Sequence, residues 1–167
     1  MVFVTPAEPG NIDGIAALLE EMDRSYGATE VEPLELRVGQ INDAIFSNPP
    51  AAYALLAWDG AQLVGLAAYS FLWPAIGLTR SLYLKELYVA QEYRRKGVGK
   101  LLMEGIFEVA AKYECSRVEW TTDDDNANAQ RFYDNLGVRK YPSKVFYRVE
   151  GQGLLQAGQV YRTPVPH

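Results

Sequence analysis

Residues 82–122 read LYLKELYVAQEYRRKGVGKLLMEGIFEVAAKYECSRVEWTT. Leu82 to Val89 reads as a strand. From Val98 to Tyr113 the pattern changes, and Leu101, Leu102, Ile106, Val109 and Ala110 recur at helical spacing. Residues 117–122 return to a strand. A crossover helix of this length joins parallel strands, and the connection is right-handed. One βαβ unit therefore anchors the fold.

Towards the N-terminus, Val2 to Thr5 is a short strand. Asn11 stands at an N-cap, and Ile12, Ile15, Leu18, Leu19 and Met22 predict an amphipathic helix over 12–25. Pro33 suits the first turn of a second helix, with Leu34, Val38, Ile41 and Ile45 on one face and Asn48-Pro49-Pro50 ending it. Ala51 to Trp58 and Leu63 to Trp73 read as strands joined at Asp59-Gly60, a hairpin signal, with a loop at Pro74 to Gly77. Towards the C-terminus, Asn126 to Leu136 is helical, with Gly137 as its C-cap glycine. Lys144 to Glu150 is expected to close the sheet. The expected fold is α/β: a single domain over 1–150, its mixed sheet antiparallel in the N-terminal half around one central βαβ unit. Residues 151–167 show no clear period and are expected to form a tail, docked or disordered.

Composition narrows the chemistry. The 167 residues carry 16 Lys and Arg against 21 Asp and Glu, a net charge of −5. That acidic balance argues against a nucleic-acid partner. The single cysteine, Cys115, forms no internal disulfide and is read as a small packed residue. The single histidine, His167, is terminal, which excludes Ser-His-Asp and Cys-His catalysis. The longest apolar run, Ala51 to Trp58, falls far short of the ~20 residues of a spanning helix. With no targeting signal read at the start, the expected address is cytoplasmic, with no membrane partner.

The most informative motif is the turn Arg94-Arg95-Lys96-Gly97-Val98-Gly99-Lys100, four cations in seven residues. Glycines between a strand and a helix let the backbone turn tightly and approach a ligand. The first helical amides point outward with the positive end of the dipole behind them, an anion site suited to pyrophosphate. Neither GxxxxGK[ST] nor GxGxxG is matched, since Leu101 follows Lys100 and Leu102 stands where the third glycine would be.

This stretch resembles the acetyl-CoA-binding core of the GCN5-related N-acetyltransferases (GNAT), a strand followed by (Q/R)xxGx(G/A) and a helix. Arg94, Gly97 and Gly99 match it. Asn126, Ala129, Phe132-Tyr133 and Gly137 match a second family element, and the resemblance covers roughly residues 1–150. Ile76-Gly77, Tyr83-Leu84 and Tyr93-Arg94 are most similar to the diamine (spermidine/spermine-type) acetyltransferases. The resemblance implies that Leu87, Tyr88 and Val89 pair with the pantetheine arm. Amides from Arg95 through Lys96, Gly97, Val98 and Gly99 to Lys100 would hold the pyrophosphate, and Asn126 would contact the arm. It also implies that the Val89 amide polarises the carbonyl and that Tyr133 is the general acid for the departing thiolate. Diamine acetyltransferases carry a carboxylate where this chain has Lys85. Glu86 follows, and in an ideal strand it points to the opposite face unless a β-bulge re-aims it as the base.

On the acceptor side, the resemblance singles out Tyr26, Glu30 and Glu32 between the first two helices, Trp73 in its loop, and Lys85. An acidic rim favours a cationic amine. Asp123-Asp124-Asp125 is read as a helix-capping run, with no metal expected. The resemblance thus implies an acetyl-CoA-dependent N-acetyltransferase acting on a primary amine of a small molecule: a polyamine or diamine, an amino acid, or an amino sugar. A homodimer is implied by analogy alone. The alternatives are a non-catalytic acyl-CoA sensor, which Lys85 permits, and a protein or peptide N-acetyltransferase.

Overall fold

The structure, a computed structural model, describes residues 1–160; residues 161–167, His167 included, lie outside the described residues. Five strands form one sheet: β1 (Val2–Pro6), β2 (Tyr53–Asp59), β3 (Gln62–Leu72), β4 (Ser81–Val89) and β5 (Arg117–Glu119), in the order β1-β2-β3-β4-β5. The first four pair antiparallel, and β5 joins β4 in parallel. The helices are α1 (Ile12–Ser25), α2 (Leu34–Ile45), α3 (Val98–Lys112), α4 (Ala127–Asn135) and α5 (Gly151–Val160). The expected class holds: a mixed α/β sheet, antiparallel in its N-terminal half, with one β4-α3-β5 unit. The chain divides into two compact units, Met1–Ala127, which holds the whole sheet, and the residues from Asn128 onward.

The first unit is layered by strand alternation. Ala54 and Leu56 of β2, Leu66 of β3 and Tyr88 of β4 pack with Ile15 and Leu18 of α1, flanked by Ile41 and Ile45 of α2. On the opposite face, Val98, Leu102, Met103 and Ile106 of α3 are fully buried. Burial of each such side chain contributes about 1.5–3 kcal/mol. Close approach of α3 depends on two glycines. A Cβ on Gly65 would stand 3.0 Å from Leu102 Cδ1 and 3.2 Å from Val98 Cγ1, and one on Gly105 would stand 3.0 Å from Leu55 Cδ1. The hairpin forms where Asp59-Gly60 predicts it, with Gly60 at φ +59° and Asp59 paired to Gln62.

The structure differs from the sequence reading at five places. Pro33 stands one residue before α2, at its N-cap. The apolar stripe expected on α2 is incomplete, because Leu34 is exposed and the buried residue is Arg37. Its guanidinium lies 3.3 Å from Glu20 and 3.9 Å from Asp23, so an ion pair supplies what binds α2 to α1 there. The last strand of the βαβ unit is short, ending at Glu119 rather than at 122. Residues 144–150 form no strand, which corrects the expected closure of the sheet. Strand propensity expresses fit to a pleated, half-buried surface, and every residue of 144–150 is exposed. Gly151–Val160, where no period is legible, is helical.

Candidate functional site

The site begins where β4 and β5 part. Their ladder ends at Tyr83 opposite Glu119, while β4 continues to Val89 paired only with β3 among the described strands. The Ala90 amide donates to Val64 O at 2.9 Å. Successive residues of a strand turn their backbone groups to opposite sides. Over the regular register of 86–89, Leu87 and Val89 therefore present their amides and carbonyls to the open side.

The glycine turn follows. A 3-10 turn, Gln91–Tyr93, leads into Arg95 at φ +61° and Gly97 at φ +82°, and Gly97 is the N-cap of α3. The left-handed conformation at Gly97 suits a residue without Cβ. The amides of Val98, Gly99 and Lys100 precede the first intrahelical donor, Leu101, which bonds Gly97 O at 3.0 Å. A recess of about 350 Å³ opens there, lined by Lys96, Gly97, Val98 and Lys100 with Val2 and Glu104 beside them. The cations are disposed differently. Lys96 Nζ lies over the Tyr93 ring at 5.0 Å, and Lys100 reaches towards Glu104 at 3.9 Å. Arg94 folds back to the strand: its Nε donates to Val89 O at 3.2 Å, and its guanidinium lies 5.5 Å from the Tyr88 ring centre.

The strand carries a register shift opposite Lys85. Ala68 pairs with Glu86 and Tyr69 with Leu84, so Lys85 is the extra residue of a β-bulge. Leu84 consequently shares its face with Tyr69 and Phe71, whose ring packs on Tyr113 at the end of α3. Glu86 shares the opposite face with Tyr88 and α1. Without the extra residue, Glu86 and Leu84 would fall on one face.

On that face α1 ends in a Schellman-type cap. Gly27 at φ +101° donates to Arg24 O at 3.1 Å, and Ala28 donates to Asp23 O at 3.0 Å. The cap leaves Tyr26 at the helix end, and its hydroxyl donates to Glu86 Oε1 at 3.4 Å. Burial raises the Glu86 carboxyl above its ordinary value, and the Asp23 charge adds to this. The Tyr26 hydroxyl, the Leu87 amide and the Lys85 charge only partly offset it. Tyr26 is itself raised, first by burial and then by the Glu86 charge.

Tyr26, Glu30 and Glu32 line one recess of about 360 Å³ together with Asp23, Ala28 and Val31. Nothing in the sequence marks Asp23, although it lies one helical turn before Tyr26. Trp73 is not among the lining residues; it is exposed, and its Nε1 donates to Leu78 O at 2.9 Å. Lys85 is exposed at the bulge. Asn126 stands immediately before α4, its amide bonded to Asp123 O at 3.1 Å. Tyr133 lies in the second unit, on α4, half-buried with its ring 5.1 Å from that of Phe132.

Among the described residues no helix is long and apolar enough to cross a membrane. The model of the acetyltransferase (GNAT) family matches residues 15–138. A thialysine N-epsilon-acetyltransferase of Sus scrofa is 27% identical over 150 residues, covering 83% of this chain and 84% of that protein. An L-ornithine N5-acetyltransferase of Arabidopsis thaliana is 33% identical over 82 residues, 49% of this chain and 36% of its own length. An integron cassette protein from the mobile metagenome of V. cholerae superposes with a TM-score of 0.87 at 25% identity, over 95% of this chain and 98% of its own. An aminoglycoside N-acetyltransferase solved with CoA shares the fold, with a TM-score of 0.74 at 15% identity over 90% of this chain and 96% of its own. The chain belongs to the GNAT family of acetyltransferases.

Proposed function

We propose that this GNAT-family chain transfers an acetyl group from acetyl-CoA to the primary amine of a small cationic molecule, of the diamine, basic amino acid or amino-sugar type. The observation that carries the reading is the bulge at Lys85, which turns Glu86 to the face of Tyr26 beside the open edge of β4. The similarity to thialysine and ornithine acetyltransferases supports a small amine as acceptor.

Acetyl-CoA supplies an acetyl thioester. The residues of the glycine turn, Arg94 to Lys100, fit its anionic end, because outward amides and a helix N-terminus favour phosphate. The open side of β4, where the Leu87 carbonyl and the Val89 amide turn outward, suits the pantetheine arm, an added strand in hydrogen-bonding terms, and Asn126 is the further proposed contact. The Val89 amide is the proposed donor to the carbonyl oxygen.

The proposed transfer is direct. The amine lone pair forms the new C–N bond as the C–S bond breaks. The nitrogen gives its proton to Glu86, directly or through water, and the sulfur takes one from the Tyr133 hydroxyl. A carboxylate raised by burial is a better base than an ordinary one near neutral pH. Asp23, Glu30 and Glu32 favour a cation in the recess at Tyr26.

The test is acetyl-CoA-dependent thiol release against polyamines, basic amino acids, aminoglycosides and short peptides. Release with a small cationic amine is the expected result. Release with peptides alone would replace the acceptor class. Acetyl-CoA binding without release from any amine would favour an acyl-CoA sensor, and absence of binding would overturn the reading.

A further inference from the structure

Glu21 lies on the exposed side of α1, five residues before Tyr26, and nothing in its sequence neighbourhood marks it. Its Oε1 accepts two hydrogen bonds, from the Tyr88 hydroxyl at 2.8 Å and from the Gln91 amide at 3.0 Å. The donors are 67 and 70 positions away in the chain, and they bracket Val89 and Ala90. Gln91 opens the 3-10 turn, so its amide has no acceptor within that turn. Tyr88 is buried, and its hydroxyl donates to Glu21 with Ser25 as a further side-chain partner. One carboxylate oxygen thus satisfies both groups at the point where the open edge of β4 becomes the glycine turn.

The short span between them is held from two further directions. The Ala90 amide bonds Val64 O at 2.9 Å, tying it to β3. Arg94 Nε bonds Val89 O, with its guanidinium over the ring of Tyr88. The phenol of Tyr88 therefore lies between Glu21 at its hydroxyl and Arg94 at its face.

We propose that Glu21 is a positioning residue for acetyl transfer: through Tyr88 and Gln91 it sets the direction of the Val89 backbone, and with it the edge against which the acetyl donor lies. The inference rests on the reading that this edge receives acetyl-CoA. Its force lies in the sensitivity of transfer to placement, since a displacement of about 1 Å at a reacting centre costs on the order of 100-fold in rate.

The test compares Glu21→Ala, Glu21→Gln and Tyr88→Phe by kcat, by acetyl-CoA affinity from calorimetry and by Tm. Glu21→Ala is expected to lower kcat by about 10–100-fold and to weaken acetyl-CoA binding by about 10-fold. Glu21→Gln keeps a carbonyl that can accept from both donors, and its kcat is expected within about 3-fold of wild type. Tyr88→Phe loses one arm of the clamp and is expected to fall between them, and Glu21→Ala/Tyr88→Phe should be no worse than Glu21→Ala alone. A Glu21→Ala protein with wild-type kcat and affinity but a lower Tm would show a mere helix-to-strand staple and overturn the proposal. A Glu21→Gln protein as impaired as Glu21→Ala would also overturn it, because charge rather than placement would then matter. Should Glu21→Ala fail to fold, unchanged kcat and affinity in Tyr88→Phe would overturn it by the same criterion. A wild-type protein that neither binds acetyl-CoA nor releases thiol would overturn both the proposed function and this inference, whereas an active wild type with unaffected variants removes this inference alone.

Discussion

The hydroxyl of Tyr26, at the end of α1, meets the carboxylate of Glu86, in β4, at 3.4 Å across 60 positions of sequence. The contact exists because Gly27 ends the helix in a left-handed turn while the bulge at Lys85 turns Glu86 to the same side. Burial of Glu86 raises its carboxyl, with consequences for both rate and stability.

A base must be deprotonated to act, so activity should fall as pH drops through the raised Glu86 pKa, giving an acidic limb above the ordinary carboxylate range. Glu86→Gln should lower kcat by about 10²–10⁴-fold and remove that limb from the rate profile. The stability sign is opposite. A raised folded-state pKa means that folding penalises the charged form. The penalty is complete above the folded pKa and vanishes below the ordinary carboxylate value of 4.5, where the group is protonated in both states. Glu86→Gln should therefore raise Tm at pH 7–8 and leave it unchanged near pH 3, read from thermal melts across pH.

Tyr133→Phe retains the ring and removes the proton. Its kcat should fall by about 10–100-fold while acetyl-CoA affinity, measured by calorimetry, stays within about 3-fold of wild type. Full activity would remove Tyr133 as the acid.

Gly97 occupies the left-handed region at φ +82°, and a Cβ there would meet nothing within 4 Å. The cost of Gly97→Val to the fold is therefore conformational, about 1–2 kcal/mol, while the outward amides of α3 lose their aim. Acetyl-CoA affinity should drop by more than about 10-fold with a cooperative melt retained.

Glu30→Gln with Glu32→Gln should raise the KM of a cationic acceptor by about 5–10-fold, leave the acetyl-CoA KM alone and weaken the salt dependence of acceptor binding. An equal change in both KM values would place these carboxylates outside acceptor recognition.

Gly65→Ala tests the packing that seats α3. The new Cβ would lie 3.0 Å from Leu102 Cδ1 and 3.2 Å from both Val98 Cγ1 and Tyr88 O, the last being fixed backbone. Overpacking of this kind costs about 1–3 kcal/mol, measurable by denaturant titration.

Local signals carried far in this chain. Helical spacing placed α1 and α3 within a residue of their observed bounds, Asp59-Gly60 placed the hairpin, and the RxxGxG run placed the turn before α3, because each is governed by residues close in sequence. The 144–150 segment shows where that ends: its residues fit a strand, but strand formation depends on burial and a partner edge that composition does not encode. Arg37 makes the same point, since its burial in α2 depends on Glu20 and Asp23 of another helix.

Sequence by itself thus determined the class of fold, the glycine turn and the types of residue available for proton transfer, with His167 as the only histidine. Tertiary structure alone decided which way Glu86 faces, because a bulge is a mismatch between two strands and is invisible in either one. It also decided that Asp23 joins Tyr26, Glu30 and Glu32, and that Glu21 clamps Tyr88 and Gln91. Those contacts depend on how α1 is laid across the sheet, and the packing of Ile15 and Leu18 on Leu56, Leu66 and Tyr88 sets that placement.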